Sequence, residues 1–179
     1  MEPDPDPEEA GILQELRDGT RLPRLGGRRR GALSMALRSF QRPSASRFTD
    51  GTFGVLYAAS REHTCMAEMV YHLDRYLRDS PPEQPAEFPF RLLNLRISGR
   101  LADIRRGHKL LHHPDDYRAS QLFGRTLWEK GHDGVQYRSV RDPGGECLAL
   151  LTPGTIDSCT QDGTRILRWD GSRVASYQS

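Results

Sequence analysis

Three stretches of the sequence set a reactive residue type in an unusual neighbourhood. Arg47 stands in Ser46-Arg47-Phe48-Thr49-Asp50-Gly51, just ahead of an apolar run and facing a turn. Glu68 lies between Ala67 and Met69 in an otherwise apolar stretch, after Tyr57 in that run. Ser139 closes Tyr137-Arg138-Ser139, beside Gly134. An arginine grips phosphate through a planar fork that lysine lacks. A carboxylate on an apolar helix face is a candidate for a partly buried acid, and a serine hydroxyl can both donate and accept. Each has a plainer reading as well. Arg47 could be a surface charge, Glu68 could pair with a neighbouring arginine, and Ser139 could cap a turn.

Other reactive types point less far. Glu68 and His72 are four apart and could share a metal, but nothing nearby supplies further ligands, so no metal is expected. His112-His113 sits in a polar loop and reads as solvated. Met66 and Met69 fit a core stripe. No GxSxG, P-loop, HExxH, CxxC or GxGxxG motif is present.

The elements that must position these residues follow from periodicity. Phe53 to Ala59 is a short apolar run between Asp50-Gly51 and Ser60, a buried-strand signal. From Arg61 to Leu77, residues Cys65, Met66, Met69, Leu73 and Tyr76 recur with helical spacing, with Ser60 as the expected N-cap. Asp79-Ser-Pro-Pro-Glu-Gln-Pro ends that helix. Strands are predicted over Phe88–Ile97, Val135–Ser139, Glu146–Leu151 and Thr164–Trp169, and a short strand or a turn over Leu101–Ile104. A second helix is predicted over Pro114–Glu129, opened by Pro114-Asp115-Asp116. Gly131 and Gly134 bracket one turn and Asp142-Pro-Gly-Gly forms another. Helices inserted among more numerous strands predict an α+β fold.

The 179 residues suit one domain. No apolar stretch is long enough to cross a membrane. The start, Met1-Glu-Pro-Asp-Pro-Asp-Pro-Glu-Glu, lacks the basic and apolar parts of a secretory signal, so a cytoplasmic location is expected. Cys65, Cys147 and Cys159 are odd in number and not spaced as ligands, and read as reduced and packed. The net charge of +2 argues neither for nor against nucleic acid, although 24 arginines face only two lysines. Residues 1–35, acidic and then arginine-rich, read as a flexible or loosely docked tail, with a domain over 36–179. Arg28-Arg29-Arg30 is the one feature that favours a nucleic-acid-binding module.

Taken together, Arg47 with Tyr57 ten residues later, Glu68 eleven beyond that, and Ser139 after a glycine-flanked strand resemble the RES domain family, named for an Arg, a Glu and a Ser. The resemblance covers about residues 36–155. Two departures stand out. The Gly-Gly-Arg-Trp-Asn run of many members is replaced by Arg47-Phe48-Thr49-Asp50-Gly51, and Cys147 follows Glu146 where Asn or another small residue is expected. The resemblance implies a split mixed β-sheet with surrounding helices, similar to the catalytic domain of ADP-ribosyltransferase toxins. It also implies a toxin of a bacterial toxin–antitoxin pair that consumes NAD+ as substrate. Its implied partner is an Xre-type antitoxin whose far end occludes the cleft.

That chemistry would suit these residues. Cationic nicotinamide leaves the ribose without a general acid, and oxocarbenium character develops on the sugar. The roles so implied are Arg47 on the pyrophosphate, Tyr57 flanking the nicotinamide, Glu68 as the catalytic carboxylate and Ser139 positioning the ribose. Gly134 would let the chain pass close to the ligand. The ribosyl group would go to water or phosphate; transfer to a protein is the alternative. A reading of another class is an inactive partner-binding domain. No membrane contact or direct nucleic-acid binding is expected, and a homo-oligomer is compatible with the sequence.

Overall fold

The structure is a computed structural model, and it describes residues 28–82 and 85–177. Helix α1 (Arg28–Gln41) leads into two short paired strands, β1 (Ala45–Ser46) and β2 (Thr49–Asp50). Then come β3 (Leu56–Ala59), α2 (Glu62–Asp79), β4 (Ala86–Ile97) and β5 (Leu101–Asp103). A single 3₁₀ turn, Lys109–His112, precedes α3 (Arg118–Glu129). Strands β6 (Gly134–Arg138), β7 (Glu146–Leu150), β8 (Ile156–Trp169) and β9 (Val174–Tyr177) complete the fold.

Two larger sheets carry the molecule. One has the order β3-β7-β6-β5 and is mixed, because β5 runs parallel to β6 while the other neighbours are antiparallel. The other, β4-β8-β9, is wholly antiparallel. The α+β class and the division of the strands between sheets agree with expectation. Pro89 sits inside β4 opposite Ile166, which is tolerable because β4 is an edge strand that needs no donor on its open side.

Helix α2 joins the two sheets. Leu73 and Leu77 are buried with Leu167, Trp169 and Val174 of the second sheet, and Met66, Met69 and Val70 pack against them. These positions repeat at three and four residues, so one stripe of the helix faces that cluster. A second cluster, with Phe48, Phe53, Val135, Tyr137, Cys147 and Ala149, lies on the mixed sheet. Helix α3 closes on it so tightly that a Cβ at Gly124 would lie 2.0 Å from the Phe48 carbonyl oxygen.

Several local expectations change. Helix α1 crosses the boundary expected at residue 36: Ala32 and Ala36 are buried with Cys159. Residues 1–27 of the expected tail lie outside the described residues. Ser60 does not cap α2. Arg61 is the N-cap residue, and the Ser60 hydroxyl reaches the Glu146 carbonyl instead. Helix α3 starts at Arg118, so Pro114-Asp115-Asp116 belongs to the segment ahead of it. The last expected strand begins eight residues earlier, at Ile156, and β9 follows it after a turn at Asp170-Gly171.

Candidate active site

Glu68 and Ser139 meet. Ser139 Oγ donates to Glu68 Oε1 at 2.6 Å, and accepts the backbone N–H groups of Arg141 at 3.1 Å and Asp142 at 2.9 Å. The hydroxyl is thus polarised by two donors while its own proton faces the carboxylate. Its residue is buried at the end of β6, where the chain turns through Asp142-Pro-Gly-Gly into β7. The turn is clamped from behind. Ser139 N–H donates to the Gly145 carbonyl, and Thr64 of α2 donates its hydroxyl to Asp142. A Cβ at Gly145 would strike Asp142 Oδ2 and Thr64 at 2.5 and 2.7 Å, so glycine lets the turn dock on α2.

The same carboxylate oxygen has a second neighbour, Cys147 Sγ at 3.9 Å. Burial and the Glu68 charge push this thiol up to about 12, so it stays protonated and can donate to the carboxylate. Tyr137, buried beneath it, is held far above its ordinary value by burial and by the neighbouring Cys147. Glu68 Oε2 lies 4.0 Å from His72 Nε2, one turn along α2. Among the described residues no group of three or more His, Cys, Asp or Glu is placed to hold a metal ion.

Arg47 is not a surface charge. It is 5% exposed, donates from Nη1 to the His113 carbonyl at 2.7 Å, and lies 4.5 Å from the centre of the Tyr117 ring. Tyr57 is locked through its hydroxyl, which accepts the Phe48 N–H at 2.9 Å and lies 2.7 Å from Ser46 Oγ. It therefore ties β3 to the segment that carries Arg47. Gly134 stands apart. It opens β6, opposite Leu101 and Leu150, at the far end of the strand from Ser139. A Cβ there would lie 2.5 Å from the Ala149 carbonyl oxygen, so sheet packing demands its small size.

His112 and His113, expected to be solvated, hold the segment between β5 and α3. His112 Nδ1 bonds the His108 carbonyl and Nε2 accepts the Arg138 N–H. His113 Nδ1 accepts the N–H groups of Asp115 and Asp116. The resulting strap, residues 113–117, presents its carbonyls to the arginines. Arg141 is the residue that sequence reasoning missed. It stacks on Tyr71 at 3.3 Å and donates to the Pro114 carbonyl at 2.9 Å. Its place two residues after Ser139 was the available signal. A cavity of about 510 Å³ opens beside Gly144 and Gly145, with Arg105, Arg106 and Arg138 in its wall. Neither Glu68 nor Arg47 lines it, and Arg105 is already paired with Asp103 and Glu146.

The model of the RES domain matches residues 21–170. This chain belongs to the RES domain family. Among solved structures, a chain of the crystal structure of the M. tuberculosis MbcT–MbcA toxin–antitoxin complex is similar to this RES domain, with a TM-score of 0.52. The match spans 90% of this chain and 93% of that one at 13% identity, and at that identity the likeness is one of fold. Among the curated proteins no sequence matches this one.

Proposed function

We propose that this RES domain is the toxin of a toxin–antitoxin pair and that it cleaves the bond between nicotinamide and ribose in NAD+. The observation that carries the reading is the 2.6 Å hydrogen bond from the buried Ser139 to Glu68. It fixes one carboxylate oxygen, while the other lies 4.0 Å from His72 Nε2. When the glycosidic C–N bond breaks, its electron pair leaves with nicotinamide, which departs neutral. Positive charge is left on the ribose, and Glu68 stabilises it. The acceptor's lone pair then forms the new bond to C1 and its proton passes to solvent. Arg47 grips the pyrophosphate and Ser139 steadies the ribose. Tyr57, its hydroxyl anchored, offers a ring of fixed orientation to the nicotinamide.

The family supports the toxin role, and the complex that contains the similar fold supports an antitoxin as partner. An Xre-type partner whose far end covers the cleft, a cytoplasmic location and a water or phosphate acceptor belong to the same proposal.

The test is loss of NAD+ and release of nicotinamide, followed by chromatography with purified protein, phosphate and cell extract. Glu68→Gln keeps the shape and removes the charge. Turnover is expected to fall about 10²–10³-fold while the thermal midpoint holds. Wild-type turnover in that variant overturns the reading. Free ADP-ribose, its 1-phosphate or a modified protein among the products identifies the acceptor.

A further inference from the structure

Arg141 is built like a ligand-binding residue and not like a surface charge. Its side chain is 13% exposed, its guanidinium carbon lies over the Tyr71 ring 3.3 Å from the centre, and its Nε–H is buried without an acceptor among the described residues. A buried, unmatched donor on a cation is costly unless something completes it. Tyr71 is itself fixed, because its hydroxyl donates to Asp115 at 3.1 Å. The backbone of Arg141 is tied to the reactive pair, since its N–H donates to Ser139 Oγ.

The second observation is what the two arginines hold. Arg47 Nη1 donates to the carbonyl of His113, and Arg141 Nη2 donates to the carbonyl of the next residue, Pro114. The Cα atoms of neighbouring residues are ~3.8 Å apart. Two guanidiniums from opposite parts of the chain therefore converge on one short stretch of main chain. Asp115 lies 3.9 Å from Arg141 Nη2 and is largely exposed, so it neutralises the pair only weakly.

We propose that Arg141 and Arg47 form a two-arginine clamp for the pyrophosphate of a dinucleotide. In the free protein the carbonyls of His113 and Pro114 occupy the clamp, and phosphate oxygens replace them on binding. The strap is then the element that substrate displaces. This rests on the NAD+ reading above and extends it. It assigns a second binding residue and requires both phosphates of the substrate, so a mononucleotide engages only half of the clamp.

The experiment measures ADP-ribose binding by calorimetry and NAD+ turnover in Arg141→Gln and Arg141→Lys. Losing a charged, forked contact is expected to weaken ADP-ribose about 10- to 100-fold and to raise the KM for NAD+ similarly. The kcat at saturating NAD+ stays within about threefold. Arg141→Lys, with charge but no fork, falls between. Unchanged affinity and KM in a folded variant reduce Arg141 to a tie for the strap and overturn the clamp. Should both variants fail to fold, hydrogen exchange on the wild type decides. ADP-ribose is expected to change exchange at the amides of His113, Asp115, Asp116 and Tyr117, and identical exchange overturns the proposal. Arg141-dependent ADP-ribose binding without nicotinamide release leaves the clamp standing and defeats the cleavage reading. Normal cleavage with a KM indifferent to Arg141 does the reverse.

Discussion

Ser139 has a role that a simple turn cap does not explain. A turn cap needs an acceptor, and Ser139 Oγ supplies one to two N–H groups at once. Its proton goes to Glu68. The two functions are coupled, because the donors raise the acidity of the hydroxyl that restrains the carboxylate. Ser139→Ala leaves two N–H groups of the turn unmatched and Glu68 without its nearest donor. The expected cost is about 1–3 kcal/mol in chemical denaturation. Turnover is expected to fall about 10- to 100-fold as the carboxylate loses its fixed rotamer. A variant equal to wild type in both would show that the 2.6 Å contact contributes nothing. At this scale much was legible in the sequence. Arg47, Tyr57, Glu68 and Ser139 carry reactive types at informative separations. Arg141 was not, because its type matches the other arginines of an arginine-rich chain and its burial depends on Tyr71, seventy residues away.

At the scale of elements, the strap ahead of α3 is held by histidines of defined tautomer. His108, at φ 52°, is the one described non-glycine residue in the left-handed region, and with Gly107 at 72° it turns the chain into the strap. His112 takes its place by donating from Nδ1 to the His108 carbonyl and accepting the Arg138 N–H at Nε2. Burial lowers its pKa from the usual 6.5, the His108 carbonyl opposes this, and the charges of Arg138 and Arg47 lower it further. The folded state thus prefers neutral His112, whereas the unfolded chain takes up a proton near 6.5. This contribution to stability is complete above that pH and declines as pH falls below it. Thermal midpoints measured from pH 8 to 5 are expected to drop more steeply in the wild type than in His112→Gln. Parallel profiles would remove His112 from the account. The strap was misread from sequence because Pro114-Asp115-Asp116 is good helix-start chemistry. Here His113 Nδ1 caps the turn instead, a tertiary choice that local propensity does not encode. Helix α1 was misread for another reason: its buried face consists largely of the small residues Ala32 and Ala36, too faint an apolar stripe beside Arg28-Arg29-Arg30.

At the scale of the molecule, α2 has two faces with different duties. Glu68 faces the mixed sheet and its turn, while Leu73 and Leu77 anchor the helix in the cluster with Trp169. Core packing and the candidate carboxylate are therefore carried on one rod but at different points along it. Leu73→Ala, at a fully buried position, is expected to cost about 2–5 kcal/mol in denaturant unfolding. Turnover per folded molecule, taken well below the transition, should be retained. A large loss of turnover with unchanged stability would instead place Leu73 in the site. The division of strands between two sheets was readable from the sequence only through family resemblance. Strand β8 hides it: most of Asp157–Gly163 is exposed and polar, so its first half is poorer in apolar residues than Thr164–Trp169.

The two tryptophans fall on opposite sides of that division. Trp128 is 42% exposed and lies parallel to Phe53 with ring centres 4.8 Å apart, whereas Trp169 is 2% exposed in the other cluster. The molecule therefore carries a built-in pair of optical reporters. Light emitted by the wetter indole of α3 should be quenched by iodide, and the dry one should be shielded until its cluster melts. Following the two signals separately would show whether the site half loosens before the rest of the chain unfolds.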